Sequence, residues 1–244
     1  MTVKLTFYDE GKAEVMLNRP DAKNAVNFQM IADLEIVLTE LEQTESLHVV
    51  VFRGTGDAFC SGGDIRQFHQ LRSADDAMSM LEPMYRVLVR ITELAPLTVA
   101  HIDGPAVGGG AELAAACDVI TGTSKAKAGF IQGRLVLPPG WGGSALLKSK
   151  LQMSDALYML VSAEIFSADE LLRFGFIQEL ADEPFALFKA APEMISYHKK
   201  QKQPIPDLAE KMYADVLACA EFWASESHHA AVEEALTKKE GPAD

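Results

Sequence analysis

The hydrophobic pattern changes period several times along the chain. Residues 2–8 and 12–17 read as short strands parted by the Glu10-Gly11 turn. The polar stretch NRPDAKNAVN (18–27), broken by Pro20, is a loop. From Phe28 the spacing becomes helical. Phe28, Ile31, Leu34, Leu38 and Leu41 fall on one face, and Asn27 is placed to cap it. His48–Phe52 (HVVVF) is a buried-strand segment, followed by a glycine-rich loop over 53–64. The strand–loop–helix order returns at 97–117, with LTVAHI a strand, DGPAVGGG a loop and AELAAAC a helix start; residues 118–123 return to strand.

PPGWGG (138–143) is a sharp turn ahead of SALLKSK, and 154–177 holds two short helical stretches broken near Gly175. Residues 185–200 and 207–237 are largely helical, separated by QKQPIPD. In the last of these, Leu208, Met212, Val216, Leu217 and Phe222 are expected to face a core or another subunit. Strands alternating with helices across glycine loops predict an α/β fold. The change in character divides the chain into a core over 1–190 and a helical region over 191–244.

Composition narrows the function classes. With 244 residues, 48% of them hydrophobic, the chain can bury a sizeable core. Its net charge of -13, from 22 Lys+Arg against 35 Asp+Glu, repels a phosphate backbone and argues against nucleic-acid binding. Cys60, Cys117 and Cys219 form no CxxC pair, and an odd count argues against a disulfide framework. No stretch has the length and apolarity of a membrane span or a signal peptide, so a cytoplasmic location is expected.

The chemistry concentrates in two loops. In GPAVGGGAE (104–112), three glycines before a helix leave backbone N–H groups uncovered, and the helix N-terminus adds partial positive charge there. Such a place stabilises a carbonyl oxygen that gains negative charge. Glu112 falls in the first helical turn. Tight packing would account for the glycines as well, and Glu112 would then be an ordinary first-turn acid. The second loop, GTGDAFCSGGD (54–64), offers Ser61, Gly62 and Gly63 after another strand, so two segments could present donors to one oxygen.

Other chemistries find no support. GxxxxGK[ST] and HExxH are absent, and no GxGxxG lies between a strand and a helix. His228-His229 has no carboxylate cluster nearby, which favours a surface or interface role over metal binding. Cys60 is expected to be a buried thiol, and neither Ser61 nor Ser144 lies in GxSxG. Trp141 and Trp223 suit packing or a pocket wall.

Taken together, NRPDAKNAVN, GTGDAFCSGGDI (54–65), PLTVAHIDGPAVGGGAELAAACDV (96–119), PPGWGG and the C-terminal EFWASESHHAAVEEALTKK resemble the enoyl-CoA hydratase/isomerase (crotonase) family over essentially the whole chain. The resemblance implies a spiral of ββα units followed by a C-terminal helical trimerisation region, in a homotrimer or homohexamer. It implies an acyl-CoA thioester as substrate, with coenzyme A carried on it, no tightly bound cofactor and no metal. By similarity the peptide N–H groups of Gly63 and Gly109 form an oxyanion hole. Gly108, Gln132 and Trp141 lie on the substrate side, and Ala22, Lys23, Ala25, Asp64 and Ile65 lie beside coenzyme A. Helical residues near the C-terminus, of this subunit or of a neighbouring one, close the phosphate end.

Glu112 matches the first of two glutamates used by the family's hydratases, whereas Gln132 stands at the second. An amide orients water but does not titrate near neutrality. That departure, with the tryptophan of PPGWGG, is similar to the ethylmalonyl-CoA decarboxylase branch. The resemblance therefore favours decarboxylation of a malonyl-type acyl-CoA. Hydration of a 2-enoyl-CoA is the alternative, and a non-catalytic CoA-binding scaffold is the third reading.

Overall fold

The computed structural model describes residues 1–240, so the last four residues of the region expected at 191–244 lie outside it. Strands β1 (Val3–Tyr8) and β2 (Lys12–Leu17) form an antiparallel hairpin. From β2 the main sheet continues in parallel through β3 (Val49–Gly54), β4 (Leu97–Ile102), β6 (Val119–Gly122) and β9 (Glu179–Leu180). A second sheet joins β5 (Pro105–Val107), β7 (Lys127–Gly129) and β8 (Phe166–Ser167). After β4 and again after β6 the chain crosses to this smaller sheet before entering a helix, α4 (Gly109–Ala116) and α5 (Gly143–Lys150) respectively. That repetition is the ββα unit of an α/β spiral.

Parallel strands are covered on both faces and read as unbroken apolar runs. HVVVF follows that rule. Val50 and Phe52 enter the main core, while Val49 and Val51 meet Val99 on the other face, beneath Phe185, Phe188 and Ile195. Ile195 comes from α8 (Pro192–Lys200).

Helix α1 (Phe28–Gln43) is capped as expected, Asn27 accepting a hydrogen bond from the Met30 amide at 2.9 Å. Ile31, Leu34, Leu38 and Leu41 are buried. Phe28 departs from this face, standing exposed in the first turn with its ring edge-on to Phe68 of α2 (Ile65–Phe68). Helix α3 (Ala74–Glu93) opens on a Ser73–Asp76 capping box and packs on α1.

Several boundaries differ from the sequence pattern. The expected loop DGPAVGGG contains β5, too short for any period to register, and α4 starts at Gly109. Residues 154–177 hold α6 (Met153–Ser162) and α7 (Ala168–Phe174), and Gly175 ends α7 with φ +75°. The stretch 185–200 begins as a 3-10 turn and becomes α helix only from Pro192, which suits the first helical position. Residues 207–237 divide into α9 (Leu208–Trp223) and α10 (Glu226–Glu240), the break marked by Ser225, whose Oγ accepts the His228 amide. On α9, Met212, Val216 and Cys219 join the main core against α3 and α5, whereas Leu217 and Phe222 are exposed.

Candidate active site

The two glycine loops are fastened together through their backbones. The Phe59 and Cys60 amides both donate to the Pro105 carbonyl, at 3.0 and 3.1 Å, and the Val107 amide donates to the Cys60 carbonyl at 3.0 Å. On the other side, Val26 bonds to Gly62 and Asp64 to Val26, both at 2.8 Å, so Gly63 is held between them. Gly108 has φ +57° and ψ -123°, a conformation that needs a residue without Cβ. The first turn of α4 closes on its carbonyl, with bonds from the Ala111 and Glu112 amides. Amides ahead of that closure have no intrahelical acceptor, and Gly109 is the first of them.

Trp141 lies across these glycines. A Cβ at Gly109 would stand 2.1 Å from the indole, and one at Gly63 would stand 3.8 Å from it. Glycine at 109 is therefore a condition for the ring's position. The indole N–H donates to the Met80 sulfur at 3.3 Å, which fixes the ring plane.

Glu112 is buried in the first turn of α4. Its Oε1 accepts from Gln132 Nε2 at 2.7 Å and from the Gly140 amide at 3.3 Å. Its Oε2 accepts from the Trp141 and Gly143 amides, both at 2.8 Å. The PPGWGG turn is thus shaped around this carboxylate. No ammonium or guanidinium is among these donors. Burial pushes the Glu112 carboxyl up to about 7, against the pull of the Trp141 and Gly143 amides, and Asp215 adds to the rise. A carboxyl so placed gives and takes a proton near neutral pH.

Gly63, Gly108, Gly109, Glu112, Gln132 and Trp141 line one cavity of about 580 Å³, and Ile65 stands in the same wall. This arrangement, two glycine loops and one buried acid on a single cavity, sits in a chain that matches the enoyl-CoA hydratase/isomerase family model over residues 8–238. The chain belongs to that family.

Among its relatives, the ethylmalonyl-CoA decarboxylase of Xenopus tropicalis is 33% identical over 174 residues, 71% of this chain and 58% of that protein. The chain thus spans less than two thirds of the length of the decarboxylases it matches. A short-chain-enoyl-CoA hydratase of Clostridium acetobutylicum is 31% identical over 76% of this chain and 71% of its own length. In fold, the chain is similar to the enoyl-CoA hydratase of Bacillus halodurans, with a TM-score of 0.84 at 19% identity, covering 96% of this chain and 100% of that one.

Of the residues expected beside coenzyme A, Ile65 reaches the cavity wall and the other four do not. Ser61 stands in that wall, and its amide and hydroxyl donate to the Lys23 and Ala22 carbonyls at 3.0 and 3.3 Å. Asp64 is paired with Arg19 at 2.9 Å, and the same guanidinium donates to the Ala25 carbonyl. Ala22, Lys23, Ala25 and Asp64 therefore form a rim behind Ser61, with only Lys23 exposed at its side chain. Cys60 is buried as expected, its thiol pushed up to about 12 by burial, and Ser144 is buried too.

His228 corrects the sequence reading. Far from the surface, it is 2% exposed, its Nδ1 is 2.8 Å from the Leu135 carbonyl, and its ring packs on Trp223. It lines the cavity with Ala231, Val232 and Ala235, so α10 of the same chain covers the site, a packing that no local pattern announces. Among the described residues, no group of three His, Cys, Asp or Glu side chains could hold a metal ion, and no helix is long and apolar enough to cross a membrane.

Proposed function

We propose that the chain is an acyl-CoA lyase that forms and reprotonates a thioester enolate, and that its reaction is hydration of a 2-enoyl-CoA and the reverse. The observation that carries this is the Glu112–Gln132 contact at 2.7 Å, one buried acid and one amide, on a cavity that Gly63 and Gly109 also line. The two glycine amides hold the thioester oxygen. Glu112 takes a proton from water as the water oxygen bonds to Cβ. The π electrons of the double bond move to Cα and onto the thioester oxygen as an enolate, and Glu112 then returns the proton to Cα. One carboxyl completes the cycle, so Gln132 has only to hold the water. The curated relatives that match over the larger share of their own length carry hydratase names, which supports this reading over the decarboxylation that the sequence resemblance favours.

Decarboxylation is the second reading, favoured by the 33% identical decarboxylase and by the indole wall beside Glu112. There the Cα–carboxylate bond breaks, its electron pair enters the same enolate, CO₂ leaves, and protonated Glu112 delivers its proton to Cα, to be reprotonated from water. Incubation with crotonyl-CoA, methylmalonyl-CoA and ethylmalonyl-CoA, with products read by mass spectrometry, separates the two. Water addition to crotonyl-CoA that is lost in Glu112→Gln is the expected result. CO₂ release alone establishes the decarboxylase, and no Glu112-dependent turnover on any thioester leaves a CoA-binding scaffold.

On this reading the rim of Ala22, Lys23, Ala25 and Asp64, with Ile65, receives coenzyme A. The division at 190 separates this core from helices that assemble trimers or hexamers. Exposed apolar side chains support assembly. Met153, Leu157 and Val161 recur at helical spacing on α6, and Leu217 and Phe222 stand out on α9. Light scattering on the purified protein reads the subunit number.

A further inference from the structure

We propose that Gln132 is a positioning residue whose amide turns over with the protonation of Glu112, so that the cavity meets an acceptor when Glu112 is a base and a donor when it is an acid. The inference rests on the proton cycle of Glu112 proposed above and assigns the role of its neighbour.

Every described group that hydrogen-bonds to the Glu112 carboxyl is a donor. These are the amides of Gly140, Trp141 and Gly143 and the Gln132 side chain. Four donors suit a carboxylate, which only accepts; a protonated carboxyl has an O–H to place. The three backbone donors are fixed by the turn. Gln132 alone can change sign, because rotating its terminal amide exchanges Oε1 and Nε2 in nearly the same volume.

The other end of that amide is what gives the exchange a consequence. Gln132 Oε1 is buried and has no hydrogen-bond partner among the described residues, although its side chain lines the cavity. A buried unpaired acceptor is costly, and such atoms in a native structure call for a role. With Glu112 ionised, Nε2 is bound to it and Oε1 is left to accept the O–H of the attacking water. With Glu112 protonated, Oε1 accepts from Glu112 and the NH₂ is left to donate to the newly formed β-hydroxyl oxygen. A glutamate at 132 would titrate against Glu112, and the amide avoids that coupling.

The other charged or titratable groups facing this carboxyl are Asp215 and Cys219 of α9, with His69, Arg134, His228 and Glu234 around the rest of the cavity. None of them is among the four donors. Asp215 is itself engaged by the Ala145 amide at 2.9 Å, and burial pushes the Cys219 thiol up, so it stays neutral.

The test is nuclear magnetic resonance on the full chain with ¹³C-carboxyl glutamate and ¹⁵N-amide glutamine. Loss of single resonances in Glu112→Gln and Gln132→Met assigns the pair. The Gln132 nitrogen is expected to shift with the same midpoint as the Glu112 carboxyl. The Overhauser contact from the Gln132 NH₂ protons to the Glu112 side chain should be present above that midpoint and lost below it. A contact that persists on both sides overturns the proposal, whether or not the enzyme hydrates crotonyl-CoA; absence of hydration instead removes the functional reading. In the pH–rate profile, Gln132→Met should lower kcat about 100-fold and move the acid limb to higher pH, since the carboxylate loses a donor. An unchanged limb in a folded Gln132→Met protein likewise overturns it.

Discussion

The two ends of α4 carry two buried carboxylates with opposite fates. Glu112, in the first turn, is surrounded by backbone amides and one side-chain amide, and burial raises its carboxyl to about 7. Asp118, just past the last turn, has a side chain only 8% exposed, but Lys199 and Lys202 reach its two oxygens and Thr98 adds two more bonds. There burial acts in the raising direction too, yet the lysines and Thr98 carry the balance down. Neutral donors at Glu112 only soften the cost of burial, whereas ammonium groups at Asp118 reverse it. The end of the helix that lines the cavity is the one whose carboxylate has no cation among its hydrogen-bond donors. The other end ties β4, β6 and α8 together, and Lys150 from α5 adds bonds to the Cys117 and Asp118 carbonyls.

Substitutions at each end test this contrast. The largest effect is expected from Glu112→Gln, which should lower kcat on crotonyl-CoA by about 10²–10⁴-fold while the circular dichroism spectrum stays that of the wild type. Asp118→Ala should do the opposite, leaving two lysines without their carboxylate. Its urea midpoint should fall by an amount equivalent to about 3–5 kcal/mol, with kcat of the remaining folded protein near that of the wild type.

A pH series sharpens the comparison next. Because the folded Glu112 carboxyl lies above its ordinary value of 4.5, its contribution to stability is intact below 4.5 and is lost as pH rises toward about 7. Glu112→Gln removes that loss. Its unfolding free energy relative to the wild type should therefore climb by about 3 kcal/mol over this interval and level off above it. The smallest change is expected from making one end like the other. Gln132→Lys sets an ammonium beside Glu112 and should move the acid limb of the pH–rate profile down by about 1 unit or more.

How much of this was legible in the sequence depends on range. The cap at Asn27, the helical face of Ile31, Leu34, Leu38 and Leu41, and the apolar run of β3 are local, and each follows from period and capping chemistry alone. Strands β5 and β7 have three residues each, too few for a period, and exist because the chain pairs with a distant partner. At the site, Gly63, Gly108, Gly109, Glu112, Gln132 and Trp141 do meet in one cavity. The sequence had no means of showing that the PPGWGG amides point at Glu112, because that contact joins residues about 30 apart. His228 was expected at a surface or interface for the same reason: only the return of α10 over the cavity buries it.

The zipper between the glycine loops has a consequence for descent. Its bonds run between the backbone groups of Phe59, Cys60, Pro105 and Val107, and none of them depends on which side chain Cys60 bears. Point substitutions replace side chains and leave peptide groups in place. The pairing of the two loops therefore does not rest on the side chains of Phe59, Cys60 or Val107, although Gly108 and Gly109 keep the constraints described above. Under the proposed function, a lineage built this way can change its reaction through the side chains that line the cavity while the paired loops stay in place.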